Sequence, residues 1–122
     1  MPTSFRILRS LLDRLEDSKT GKLKLKSLFV DVPSTRMKEL RKAAKAMGEE
    51  VTSNFPWHGS TTAVEKDLKQ LLLNRTWRPT VSYTGQAGMP DLVQGGNVLR
   101  PFTSLKLSIR TPPTLDLSLI HI

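Results

Sequence analysis

The sequence predicts an α+β domain with a small antiparallel sheet. Three observations carry this reading. Apolar residues recur at three- and four-residue steps in three segments, they alternate strictly in others, and eight prolines and seven glycines break the chain between them. At 122 residues there is room for one core and not for two independent ones.

Phe5, Leu8, Leu11, Leu12 and Leu15 form a helical stripe with Ile7 on its flank, opposite Arg6, Arg9, Asp13, Arg14 and Glu16. Ser4 is positioned to cap the first turn, and Gly21 is a stop signal beyond the stripe. Lys22-Leu23-Lys24-Leu25-Lys26 alternates with period two, which predicts a half-buried strand continuing through Leu28, Phe29 and Val30. Pro33-Ser34 opens a second helix, with Met37, Leu40, Ala44 and Met47 on one stripe and Gly48 as its stop. After an irregular segment from Val51 to Ser60, Thr62-Ala63-Val64-Glu65 has capping-box spacing and predicts a third helix. Val64, Leu68, Leu71 and Leu72 give that helix its apolar face.

Pro79 resets the chain, and Thr80–Thr84 reads as a strand. Gly85–Gly96 is a loop with four glycines, a length that usually serves function or mobility. The last strand spans Thr103–Arg110, with Leu105, Leu107 and Ile109 on one side and Lys106, Ser108 and Arg110 on the other. Thr111-Pro112-Pro113 ends it. Three strands make a short sheet that ordinarily takes more partners.

Composition excludes several chemistries. There is no cysteine, so disulfides, zinc–thiolate sites and thiol nucleophiles are absent, in keeping with a cytoplasmic setting. No stretch resembles a membrane span or a secretory signal, so no membrane partner is expected. His58 and His121 are the only imidazoles, and neither has ligand spacing, so no metal site is expected within the chain. Walker, GxGxxG and GxSxG motifs are missing, and no catalytic residue is assigned.

The net charge of +8 gathers in two groups, Lys19, Lys22, Lys24 and Lys26, then Arg36, Lys38, Arg41, Lys42 and Lys45. Such cations can release counterions from a nucleic acid. They also describe a solvated outer face and a protected sheet edge. Trp57, Trp77 and Tyr83 are not interleaved with them, so the solvated face is preferred and nucleic acid is not the expected partner. Asn97 after Gly-Gly and Arg110 at a strand exit are the remaining polar candidates. An arginine there can clamp a carboxylate through two parallel hydrogen bonds, although composition alone favours an ordinary surface arginine.

A resemblance changes that weighting. Leu71-Leu72-Leu73-Asn74-Arg75-Thr76-Trp77-Arg78-Pro79, Val81-Ser82-Tyr83-Thr84-Gly85, Gly96-Asn97-Val98-Leu99-Arg100-Pro101 and Leu105–Thr114 resemble the lid, or dimerisation, domain of the dinuclear-zinc aminoacylase/carnosinase-like metallopeptidases. The bacterial dipeptidase-like branch is the nearest in character, and Pro2–Arg9 resembles the segment that opens its first lid helix. The likeness covers about residues 2–116, with its specific motifs at the N-terminus and at Asn97–Thr114 and a less specific helical insertion at 33–73.

The resemblance implies a partial ferredoxin-like, split βαβ lid with helices on one face of an antiparallel sheet. It implies a homodimer paired through lids and a peptide or N-acyl amino acid as substrate. Asn97 and Arg110 would be the substrate-binding residues, Arg110 meeting the carboxylate end. Two zinc ions and a general-base glutamate would belong to a catalytic domain elsewhere in the same polypeptide, and the family's lid histidine would precede Pro2. A further lid helix and strand would come after Asp116. Residues 117–122 instead resemble translated adapter sequence, so a truncated reading frame with a non-native tail is expected. The alternative reading, supported by charge, is a stand-alone basic nucleic-acid-binding module.

Overall fold

The computed structural model describes residues 3–120. His121 and Ile122, part of the expected non-native tail, lie outside the described residues. The fold is α+β, and it divides into two units. The residues through Lys26 together with Thr80–Arg110 form the first; Ser27–Pro79 with the segment after Arg110 form the second.

The first unit begins with α1, Ser4–Leu15. Thr3, not Ser4, is its cap: the Thr3 hydroxyl accepts from the Arg6 N–H at 3.4 Å. Ser4 lies inside the helix, with its hydroxyl 2.7 Å from that of Thr103. Leu8, Leu12 and Leu15 are half-buried, while Phe5, Ile7 and Leu11 face solvent. The helix ends at Glu16, whose extended backbone sends its N–H back to Leu12. A tight turn comes next, held by the Asp17 carboxylate, which accepts from the N–H groups of Lys19 and Thr20 and from the Thr20 hydroxyl.

The strand expected at 22–30 does not form. Leu23 makes one antiparallel bridge with Glu16, and Lys26–Leu28 then turns as a 3-10 helix. Alternating Leu and Lys permit a strand, but a strand exists only where a neighbouring edge supplies the ladder. That edge is one residue long here. Burial breaks the period accordingly: Leu23 and Leu28 are buried, five positions apart, while Leu25 is 44% exposed.

Among the described residues the sheet therefore has two strands, not three: β1 Thr80–Ala87 and β2 Ser104–Arg110, antiparallel. β1 runs three residues beyond the Thr84 end that its pattern predicts. Pro79 is buried at the entry to β1, a place where its missing N–H breaks no ladder bond.

The second unit is helical. It comprises α2 Ser34–Met47, the single turn α3 Glu50–Ser53 and α4 Leu68–Trp77. Pro33 sits at the N-cap of α2 without a side-chain bond, and its carbonyl accepts from Met37 at 3.0 Å. Gly48, at φ +53°, closes the helix by returning its N–H to Ala44, a left-handed conformation that favours glycine.

The helix expected at the Thr62–Glu65 capping box is α4, and it starts later than that pattern predicts. The Asp67 carboxylate caps it by accepting from the Lys69 N–H at 2.9 Å. Glu65 does not reach back toward Thr62. Its carboxylate accepts from the N–H groups of Lys66 and Asp67, leaving Val64 78% exposed. Two nearby caps compete, and the acidic one next to Leu68 prevails.

Ala44, Val51 and Leu72 form the core of this unit, with Leu40, Ala43, Leu68 and Leu71 packed against them. Among the described residues, no helix is long and apolar enough to cross a membrane.

Candidate functional site

The hairpin of the first unit carries both polar candidates. Its register sets Thr80 opposite Arg110, Val81 opposite Ile109, Ser82 opposite Ser108 and Tyr83 opposite Leu107. Thr84 is then an extra residue on β1, so Gly85 faces Lys106, Gln86 faces Leu105 and Ala87 faces Ser104. This is a β-bulge, and the Thr84 hydroxyl donates to the Lys106 carbonyl beside it at 3.3 Å. A glycine inside a strand pattern is the sequence signal for such a bulge; from sequence alone Gly85 reads instead as the end of the strand.

Directly opposed residues share a face. One face thus presents Val81, Tyr83, Gln86, Leu105, Leu107 and Ile109; the other presents Arg110, Ser108, Lys106 and Ser104 with their partners. The apolar face is incompletely covered, since Ile109 is 40% exposed. The Tyr83 phenol on this face donates to Glu16 Oε2 at 2.6 Å. That bond to a carboxylate raises the Tyr83 pKa above the usual phenol value, with partial burial and the Glu16 charge acting in the same direction.

Arg110 is the last residue of β2 and is exposed. It makes no side-chain hydrogen bond or ion pair among the described residues. Its planar fork is free to take two oxygens of one carboxylate.

Asn97 lies in the connection from β1 to β2. Gly88 pinches the base of that connection: at φ +91°, a Cβ there would fall 2.4 Å from the Phe102 carbonyl oxygen. Leu92–Gln94 makes a 3-10 turn, and Val98 N–H then bonds the Gly96 carbonyl at 2.9 Å. An N–H bonded to the carbonyl two residues back is a γ-turn with Asn97 at its apex. The Asn97 side chain is exposed. Asn97 and Arg110 belong to the same unit, and no hydrogen bond joins them.

The remaining sequence candidates lie outside the hairpin. Lys38, Arg41, Lys42 and Lys45 are all exposed and, three and four residues apart along α2, share one face of it, while Arg36 pairs with Glu39 at 2.7 Å. Lys24 donates to the Asp13 carbonyl at 2.6 Å. The Trp57 indole donates to the Thr52 carbonyl and its ring tilts against Phe55, within the second unit. His58 is an exposed loop residue whose carbonyl accepts from Thr61. Among the described residues, no three His, Cys, Asp or Glu side chains are grouped to hold a metal ion.

The chain matches no protein-family model and no curated protein.

Proposed function

We propose that this chain is a lid and dimerisation element of a zinc-dependent, dipeptidase-like metallopeptidase or amidohydrolase of the cytoplasm. It positions a peptide or N-acyl amino acid and pairs two subunits. The reading starts from the resemblance in the hairpin and its flanks. The observation that supports it best is Arg110: an exposed guanidinium without an acidic partner among the described residues, held at the end of a strand on its polar face. The exposed asparagine at a turn apex in the same unit is a second group suited to hydrogen-bond a bound substrate. The incompletely covered apolar side chains of the hairpin are suited to a protein neighbour.

The donor set of this chain does not fit zinc, because its described acidic and imidazole groups do not converge. The zinc-dependent chemistry is assigned to a separate catalytic domain, and no step is derived through metal. Arg110 contributes binding and orientation of a carboxylate, and the lid contributes exclusion of water from the site it covers.

The test is expression of the longer polypeptide that contains this segment. Zinc-dependent hydrolysis of dipeptides or N-acyl amino acids, weakened by Arg110→Ala, supports the proposal. A flanking sequence without metal ligands, or tight salt-dependent nucleic-acid binding in place of hydrolysis, overturns it.

A further inference from the structure

Lys38, Arg41, Lys42 and Lys45 fall within about a 100° arc of α2. The arc is turned away from Leu40, Ala43 and Ala44, which pack in the core of the helical unit. Ser34 and Thr35, one turn before Lys38, continue it toward the start of the helix, and both are exposed. The face holds no carboxylate. The one acidic residue of α2, Glu39, lies on its flank and is paired with Arg36. Among the described residues, none of the four cations makes a side-chain hydrogen bond or an ion pair.

This arrangement is unfavourable for the helix itself. Lys38 with Arg41, Lys38 with Lys42, Arg41 with Lys45 and Lys42 with Lys45 are like charges three or four residues apart, and each such pair weakens a helix. A face that served solvation alone would set acidic residues at these spacings. The C-terminal dipole accounts for Lys45, in the last turn, and not for the other three. The Lys19–Lys26 group is different: it shares its turn with the Asp17 carboxylate, and Lys24 donates to the Asp13 carbonyl.

We propose that this face of α2 binds the phosphate backbone of duplex nucleic acid, without regard to base sequence. The inference does not rest on the lid reading. An array of cations and hydroxyls without apolar neighbours chooses the ligand class. Protein interfaces centre on apolar and aromatic anchors, and a helix lying in a membrane surface turns an apolar face to the lipid; Leu40 and Ala44 are packed in the core instead. Phosphate contacts need only cations and hydroxyls, and the Arg41 fork can take two oxygens of one phosphate. Single strands call for stacking aromatics beside the cations. Trp77 lines a groove with Leu40 and Ala43, away from this face. The cations span seven residues of helix, about 10 Å, which is the axial rise of about three base pairs.

The experiment follows the fluorescence anisotropy of a labelled, mixed-sequence DNA duplex of twenty base pairs as the 122-residue chain is added over a range of salt. Four phosphate contacts predict a slope of about −3.6 for the logarithm of affinity against that of salt concentration. Lys38→Gln with Lys42→Gln should bring the slope to about −1.8 and weaken binding about tenfold at about 50 mM salt. Lys38→Arg with Lys42→Arg should keep both at the wild-type level. Lys22→Gln with Lys26→Gln removes equal charge from the other unit and should leave the slope unchanged. The Gln pair on α2 should melt no lower than wild type, because it relieves the like-charge pairs. Absence of salt-dependent binding overturns the proposal, as does equal loss from the two Gln pairs, which would be an effect of net charge alone. Tighter binding of a thymidine twenty-mer overturns it in favour of single strands. Binding to phosphatidylserine vesicles without binding to the duplex overturns it in favour of a membrane surface. A sharply lower melting temperature in the α2 Gln pair makes these cations structural and overturns it as well. Hydrolysis by the longer polypeptide tests the lid reading separately, so the two can fail independently.

Discussion

The Tyr83 hydroxyl and the Glu16 carboxylate meet at 2.6 Å, which ties the middle of β1 to the residue that terminates α1. Because the bond stabilises the protonated phenol, the Tyr83 pKa is raised. Its contribution is fully present below the unfolded phenol pKa of about 10 and is lost as pH rises through the higher folded value. Because Tyr83 is about half exposed and the bond is screened by solvent, thermal melts of wild type and Tyr83→Phe should differ by no more than about 0.5–1 kcal/mol at neutral pH. The two should converge in strong alkali. A gap that stays constant to high pH would show that the hydroxyl contributes through packing instead.

Asp17 behaves in the opposite sense. Hydrogen bonds from the Thr20 side chain and then the Thr20 backbone, with further help from Lys19, hold its carboxyl below the usual 3.8. The turn after α1 should therefore keep this support above pH 3.8 and lose it as pH falls through the lowered value. Amide exchange at Lys19 and Thr20 should quicken in that acidic window, and Asp17→Ala should show the faster exchange already at neutral pH. Unchanged exchange in the variant would remove the carboxylate from this role.

Leu72 and Val64 should respond oppositely to truncation. Leu72 is buried against Ala44 and Val51, so Leu72→Ala should cost about 2–4 kcal/mol by denaturant unfolding. Val64→Ala, at a 78% exposed position, should stay within about 0.5 kcal/mol. Comparable losses at both positions would mean that the helix begins at the earlier capping box after all.

Gly88→Ala should destabilise the connection between β1 and β2. The new methyl meets the Phe102 carbonyl at 2.4 Å, and φ +91° is already strained for an alanine. A loss of about 1–3 kcal/mol is expected, with shifts concentrated at 88–103 in the NMR spectrum. Wild-type stability would mean that the two backbones do not approach so closely.

On the proposed lid reading, Arg110→Ala in the parent enzyme should lower kcat/KM about ten- to a hundredfold, the scale of a charged hydrogen bond worth about 1.5–3 kcal/mol. Arg110→Lys should lose less, since charge remains while the bidentate fork does not. Asn97→Ala should act in the same direction. Melting temperatures should hold, because both side chains are exposed. A sharp drop in melting temperature with unchanged kcat/KM would make Arg110 a structural residue.

Legibility in the sequence tracks local chemistry. Pro33, Gly48 and the Leu40–Ala44 stripe are local signals, and α2 lies where they point. The alternation in β2 likewise separates Lys106 and Arg110 from Leu105 and Ile109 before any pairing is known. Pairing itself is not local. Leu23 meets Glu16 through a single bridge, and nothing in Lys22–Lys26 says that the ladder stops there. The cap at Asp67 is masked by the competing pattern just upstream of it. The bond from Tyr83 to Glu16 spans 67 positions and has no signature at either end. For the candidate site, alternation gives the facing of Arg110, whereas Asn97 depends on the resemblance.

The extra residue Thr84 changes the relief of the hairpin. In unbroken alternation, β1 would line up Gln86 with Ser82. The offset sends Gln86 to the other side and puts Gly85 and Ala87 in its place. The polar side is thus tall near Arg110, where Thr80, Ser82 and Ser108 stand, and low near Lys106, where the opposite strand offers a hydrogen atom and a methyl. It is a ramp. A molecule lying along it would be touched from both strands at the arginine end and from β2 alone at the lysine end. Tolerance for bulk in such a molecule should grow toward the lysine.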